Sequence, residues 1–319
     1  MPIDVTFIIA AFNAEDTVRH AVESALAQEG VTVEVVVVDD CSSDATAEAA
    51  LGLASDRVRV VRLDRNRGPG GARNVGLEAA HGRWIAMLDA DDTVYPDRMS
   101  RLLRRMRESD AEIAVDNLDV MDDAVASTRP MFEPAGLAAM PEMTLDKFIE
   151  GNLLFAAPFS LGYMKPVIER RFVERHGLRY VETLRIGEDY VFLASALAEG
   201  DRCSVEPRPG YAYHIRSGSI SRVLERRHVA AMIEADAAFL RGRELDAAAR
   251  AAQAKRSRSL GRAASYLALV EHLKNRAPIR AAATAIGNPA AVGLLRMPIS
   301  VRLQRFARSF RAPEGQAFE

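Results

Sequence analysis

Two cysteines in 319 residues, Cys41 and Cys203, are too few and too far apart for a disulfide framework or a paired-cysteine metal site. That scarcity points to a reducing compartment. Long apolar runs are also missing: no stretch of roughly 18 uncharged apolar residues occurs, so no spanning helix is expected. The start, Met-Pro-Ile-Asp-Val-Thr-Phe, has no basic run ahead of an apolar segment, and the run from Val5 to Ala11 is too short for a signal or an anchor. A large charge excess is absent, and a net charge of −2 gives no general drive toward nucleic acid. What is present is an ordinary globular composition, 49% hydrophobic and 27% charged, long enough for one large domain or a domain with a substantial extension.

The first hundred residues alternate short β-branched runs with helical patterns. Strands are expected over 5–10, 33–38, 58–63 and 84–88, and helices over 13–28, 44–53 and 71–80. This βαβα rhythm predicts an α/β fold with a mostly parallel central sheet covered on both faces. In the first helix Val18, Val22, Ala25 and Leu26 form one apolar stripe, with Asn13 placed to cap it, and Pro96 marks the first turn of a later helix. The polar residues cluster where the strands end, the edge at which open α/β sheets bind ligands. From about 116 to 147 the periodicity weakens into hairpins and loops. From about 226 onward the chain is helical and Ala-rich, and between Arg250 and Arg311 thirteen Lys or Arg face one acid, Glu271, a net of +12.

Five clusters could carry chemistry. Asp89, Asp91 and Asp92 close an apolar strand; three carboxylates this near raise one another's pKa unless a hard cation relieves them, and Mg²⁺ or Mn²⁺ is commonly held by one or two carboxylates plus substrate phosphates. The plain alternative is an acidic turn before a helix. Asp39 and Asp40 end another strand, where a carboxylate accepts hydrogen bonds from a base or a ribose, or merely shapes a turn that Asp44 caps. The glycine-rich run from Asn66 to Gly76 fits neither common phosphate fingerprint, but it feeds a helix with Arg73 in its first turn. Glu188 and Asp189 stand just before an apolar helix over 191–197, either as compensation for its dipole or as a base for a hydroxyl acceptor. Tyr213 to Ser221 holds His214 and Arg216 in a Ser/Gly loop suited to a diphosphate, although a lone His is more often structural.

In this order and spacing, Ala11-Phe12-Asn13-Ala14-Glu15, the Val38 to Thr46 run, Gly70 to Gly76, Asp89-Ala90-Asp91-Asp92 and Gly187-Glu188-Asp189 resemble the inverting family 2 glycosyltransferases. The resemblance covers about 1–225 and implies a GT-A fold, with a nucleotide-sugar-binding half over 1–118, an acceptor-side half over 119–225 and a helical basic C-terminal extension over 226–319. It implies that Ala11 and Asn13 form the first nucleotide loop and that Asp39 or Asp40 contacts uracil. Arg73 and Asp89 then lie on the nucleotide side, and Asp91 with Asp89 or Asp92 holds the divalent metal. Glu188-Asp189 matches the family's pair of acids, in which the Asp is the base. Cys41 stands where the family usually has Gly.

The whole chain is also similar to succinoglycan-type exopolysaccharide glycosyltransferases, which add glucose from UDP-glucose to a lipid-linked oligosaccharide. The implied partners are a nucleotide-diphosphate sugar and a saccharide or lipid-linked acceptor, with no nucleic acid. A single in-line displacement is implied, with the metal and Arg216 offsetting charge on the leaving diphosphate. The basic segment, carrying Leu294, Leu295, Met297, Ile299, Val301, Leu303, Phe306 and Phe310, suits an interfacial helix on anionic lipid, which predicts a cytoplasmic protein peripheral to the inner face of a bacterial plasma membrane. The alternatives are a sugar-phosphate nucleotidyltransferase, disfavoured by the lack of glycine in Ala10-Ala11-Phe12-Asn13, and a membrane-surface sugar-nucleotide-binding module without turnover.

Overall fold

The computed structural model describes residues 2–53, 55–122, 126–200, 202–215 and 224–296. The chain opens with four parallel strands, β1 (Val5–Ala11), β2 (Val33–Asp39), β3 (Val58–Arg62) and β4 (Trp84–Asp89), ordered β3-β2-β1-β4. Helices α1 (Val18–Leu26), α2 (Thr46–Leu51) and α3 (Gly68–Ala79) make the crossovers. β2 is buried at every position, as the apolar run Val35–Val38 requires of a strand covered on both faces. Ala11 pairs with Asp39 and Ala10 with Asp89, so three strands finish level and bring their terminal carboxylates to one edge.

Two helix starts differ from the sequence expectation. α1 begins at Val18, five residues after Asn13, because Asn13 is not its cap: at φ 50° its Oδ1 accepts the Ser43 amide at 2.9 Å and ties the first loop to the second. Pro96 lies ahead of the next helix rather than in its first turn, since α4 (Arg98–Ser109) begins two residues later.

The second half continues with β5 (Thr93–Val94), β6 (Ile113–Asp122), β7 (Ser127–Pro130), β8 (Val167–Glu169) and β9 (Cys203–His214). Between them lie α5 (Pro134–Ala138), α6 (Leu145–Glu150), α7 (Arg170–Arg175) and α8 (Glu188–Leu197). The sheet runs on from β4 as β8-β6-β9-β5, with β7 on β6, nine strands among the described residues. β8 is antiparallel to both its neighbours, and the parallel β6–β9 pairing is interrupted by a bulge at Asp116–Leu118. Beside the bulge Arg98, fully buried, grips Asp116 with two nitrogens at 2.9 Å each and gives a third bond, 2.8 Å long, to the Lys165 carbonyl.

Four helices follow: α9 (Arg226–Arg241), α10 (Ala247–Lys274), α11 (Pro278–Gly287) and α12 (Pro289–Val292). α9 and the start of α10 are built into the protein, since Ala235, Phe239, Leu245, Ala249 and Ala252 share the hydrophobic core of the sheet. A smaller cluster joins Val229, Met232, Leu260 and Ala263 to Leu154 and Ile186. Among the described residues no helix is long and apolar enough to cross a membrane.

Candidate active site

The end of β4, the second turn of α3, the first turn of α8 and the segment before β8 converge on one charged cluster. Arg73, nearly buried, donates to Asp89 at 2.7 Å and to Glu188 at 2.8 Å, and it lies 3.0 Å from Asp189. Lys165 Nζ stands 2.7 Å from both Asp89 and Asp189. Two cations are thus shared among three carboxylates contributed by β4 and α8. Burial favours the neutral form of a carboxyl, but Lys165 and Arg73 outweigh it at Asp89 and hold that group well below the usual carboxylate range. At Glu188 burial, reinforced by Asp189, outweighs Arg73 and pushes the carboxyl up. Lys165 moves upward, because Asp189 and Asp89 more than offset its desolvation.

The acidic triplet splits into different roles. Asp92 is buried; it accepts the Tyr211 hydroxyl at 2.8 Å and the His214 amide at 2.9 Å, so both its oxygens shape the turn between β4 and β5. Burial and the neighbouring Asp89 and Asp91 push its carboxyl well up. Tyr211 also accepts the Asp89 amide at 3.1 Å, which fixes the strand end. Asp91 is half-exposed at this turn. Both oxygens of Asp89 and both of Asp92 are bonded within the protein. Among the described residues no group of three acid, His or Cys side chains is placed to hold a metal by itself.

At the ends of β1 and β2, Ala11 is buried and its carbonyl accepts the Asp40 amide at 2.8 Å. Asp39 accepts the Ser42 amide at 3.2 Å; its second oxygen, also buried, lies 3.4 Å from Arg62 Nε and takes no hydrogen bond from the described residues. A buried carboxylate oxygen without a donor is costly, and a ring N–H or a hydroxyl would satisfy it. Asp40 takes another part: it accepts the amides of Arg67 at 2.6 Å and Gly68 at 2.8 Å and so clamps the entry to α3. Gly68 sits there at φ 79°, and a Cβ on it would fall 2.3 Å from Arg185.

His214 lies half-buried at the end of β9, with Nε2 3.3 Å from the Thr93 hydroxyl, and Arg216 lies outside the described residues. The structure thus gathers Arg73, Asp89, Glu188 and Asp189 in one cluster, places Asp91 and Asp92 on the adjoining turn, and sets Ala11, Asn13, Asp39 and Asp40 along the neighbouring loops. Three contributors escaped sequence reasoning. Lys165 is one of four lysines in a chain where Lys and Arg total 42, a signal that a compact ammonium rather than a guanidinium is required there. Tyr211 locks the acidic turn, and Glu182 accepts Arg67 at 2.6 Å and Asn74 at 3.2 Å, orienting α3; neither stands in a recognisable motif.

Residues 6–172, more than half of the chain, match the family model described as Glycosyl transferase family 2. The chain belongs to glycosyl transferase family 2. This family 2 glycosyltransferase is 56% identical to the succinoglycan biosynthesis protein ExoO of Rhizobium meliloti over 98% of its own length and 90% of that protein. It is 25% identical, over 68% of its length and 79% of the other's, to an Escherichia coli protein named UDP-Glc:alpha-D-GlcNAc-diphosphoundecaprenol beta-1,3-glucosyltransferase WfaP. Among solved structures it resembles residues 1–349 of S. aureus TarS in complex with UDP-GlcNAc, with a TM-score of 0.64 at 17% identity, over 88% of this chain and 90% of that one. That likeness establishes the GT-A fold, and the nine strands among the described residues lie in one continuous sheet.

Proposed function

We propose that this glycosyltransferase moves a sugar, glucose from UDP-glucose, onto a hydroxyl of a saccharide or lipid-linked oligosaccharide in exopolysaccharide synthesis, with inversion at the anomeric carbon and with a divalent cation. The observation that carries the reading is the Lys165–Asp189 contact, which joins an acceptor-side carboxylate to the cations that also hold Asp89. The names of ExoO and WfaP support the pathway, the donor and the lipid-linked acceptor.

In this reading Asp39 and the loop around Asn13 take the nucleoside, with the open oxygen of Asp39 meeting a uracil or ribose donor. Arg73 is spoken for by three acids, so it acts by aligning Asp89, Glu188 and Asp189 rather than by gripping a phosphate. Asp89 in turn keeps Lys165 in place. Lys165 and Arg73 lie 2.7 and 3.0 Å from Asp189, the carboxylate that accepts the proton of an acceptor hydroxyl as it attacks. Asp91 holds the cation together with the donor diphosphate, and Asp92 supports the turn that presents it. When bound, Mg²⁺ or Mn²⁺ supplies neutralisation of the charge that builds on the leaving diphosphate. His214 and Arg216 stand on the same side as that diphosphate in the sequence reading.

The C-terminal helices favour a place on the membrane. Arg258, Arg262, Lys274, Arg276, Arg280 and Arg296 have no acidic partner among the described residues, and Arg258 and Arg262 line a groove of about 490 Å³ with Leu153, Lys255 and Asn288. On α11, Ile279 and Ile286, seven residues apart and on one helix face, are 85% and 80% exposed. A basic face with apolar residues among the cations suits an anionic lipid surface at the inner face of a bacterial plasma membrane, where a lipid-linked acceptor resides. The part of the basic segment from Met297 onward lies outside the described residues.

The test is a panel of nucleotide sugars incubated with acceptor lipid and scored by release of free nucleoside diphosphate, with Mn²⁺, with Mg²⁺ and after chelation. UDP-glucose with a divalent cation is expected to turn over. Asp189→Asn is expected to lower transfer at least about 10³-fold while UDP binding by calorimetry stays near wild type. Chelator-resistant turnover would remove the cation from the mechanism, and full transfer by Asp189→Asn would move the base elsewhere.

A further inference from the structure

Tyr190, the residue after Asp189, is held by partners from outside the catalytic strands. Phe148 of α6 stacks on its ring at 5.5 Å with planes 9° apart, and the Arg256 guanidinium of α10 lies 3.5 Å from the ring centroid. Arg256 is 3% exposed, and two of its nitrogens are committed: Nε donates to Asp236 of α9 at 2.8 Å, and Nη1 donates to the Asn152 carbonyl at 2.7 Å. Asp236, equally buried, takes a further bond from Gln253 at 2.9 Å. Asn152 passes the connection on, since its Oδ1 accepts the Gly162 amide at 2.8 Å, three residues before Lys165. One guanidinium therefore reaches the proton-transfer pair by two routes, through the Tyr190 ring to Asp189 and through Asn152 and Gly162 to Lys165. Gly187, which enters α8 at φ 91°, closes the same space: a Cβ on it would lie 3.1 Å from Met232 of α9.

Packing alone would not call for this arrangement. Replacing a buried ion pair by apolar side chains of similar volume is often neutral or stabilising, so a desolvated Arg–Asp pair is a poor way to dock two helices. What the guanidinium supplies is a plane that stacks on an aromatic ring while its edge forms directed bonds, which fixes distance and angle together. We propose that Arg256 is a positioning residue for sugar transfer, setting the placement of Asp189 relative to Lys165 from the C-terminal helices, so that those helices form part of the catalytic unit. The proposal rests on the reading of Asp189 as the base.

The experiment uses the full chain with Arg256→Lys, Arg256→Gln and Tyr190→Leu, beside Asp189→Asn, and measures kcat, donor KM and the thermal midpoint with UDP-glucose and acceptor lipid. Arg256→Lys keeps a charge for Asp236 but loses the stacking plane, and Tyr190→Leu removes the platform while leaving the Arg256–Asp236 pair intact. Both are expected to lower kcat by about 10- to 100-fold, as a small misplacement of reacting groups does, with donor KM changed by no more than about threefold. Wild-type kcat in folded Arg256→Lys and Tyr190→Leu proteins would overturn the proposal. So would a lower thermal midpoint with kcat retained, which is the signature of packing alone. Should Arg256→Gln fail to fold, the other two variants decide. If Asp189→Asn retains full transfer, the base assignment fails and the proposal with it; if Asp189→Asn is inactive and Arg256→Lys is not impaired, the positioning role alone fails.

Discussion

The two halves of the sheet are held together by different means. From β1 to β4 the strands are parallel and mostly apolar, and they pair in the order β3-β2-β1-β4. From β5 to β9 the strands are short or bulged, run in both directions, and are fastened by buried charges: Arg98 on Asp116, and Lys165 between Asp89 and Asp189. The first half is specified by pattern, and an error there moves a whole strand. The second is specified by single side chains, each of which forms bonds that no neighbour could replace. A binding platform can be made from repeats of one motif, whereas a reaction centre that joins two substrates needs groups from distant segments placed individually.

The sharpest way to break this contrast is Arg98→Met. Removing one member of a fully buried, doubly bonded pair leaves Asp116 charged and alone, and a loss of about 3–5 kcal/mol is expected, measurable as a lower urea midpoint. A loss below about 1 kcal/mol, the size of a surface pair, would show that the second half does not depend on its charges. Lys165→Met separates placement from stability. Transfer should fall about 10²-fold while UDP affinity in calorimetry changes little, because the ammonium serves Asp189 rather than the nucleoside.

Glu34 supplies the reverse test, a carboxylate set within the regular half. Burial pushes its carboxyl up, but bonds from Thr6 and His81 outweigh that and leave it below its ordinary value. The stabilisation is therefore fully present above the unfolded value of about 4.3 and is lost as pH falls through the lower, folded value. Wild type should exceed Glu34→Gln in urea midpoint at pH 7, with the gap closing below about pH 4; a gap constant across that range would exclude the linkage. The smallest effect is expected at Cys41, which holds φ 61°, a region where glycine is at ease. Cys41→Gly should raise stability by about 0.5 kcal/mol, the relief of the left-handed strain less the entropy glycine loses, seen as a rise of about 1 °C in thermal midpoint.

The same contrast explains what could be read from the chain alone. β1, β2 and β4 were legible because buried strands read as mostly apolar runs, and the carboxylates at the ends of β2 and β4 were legible because polar residues interrupt those runs abruptly. Asp189 stood out through its motif, and the structure places it beside Lys165 and Arg73. Lys165 was not legible, since its partners lie 76 and 24 residues away in sequence and no local rule demands a lysine before β8. The roles of Asp40 and Asn13 were hidden for a related reason: each bonds main-chain amides of another loop, and an amide leaves no mark in sequence. Arg256 stood in a run of basic residues that invited one surface explanation for all of them, whereas helical spacing turns it inward and its neighbours Lys255 and Arg258 outward.

The bond between Arg73 and Glu188 spans 115 residues, and its consequence is temporal. Closing so long a loop must precede any reward from the contact, so the charged cluster belongs to the last stage of folding, after the crossovers of β1 to β4 have formed. During refolding the parallel sheet would exist for a time with its carboxylates in place and no competent centre, and catalytic activity would return later than the sheet's circular dichroism signal.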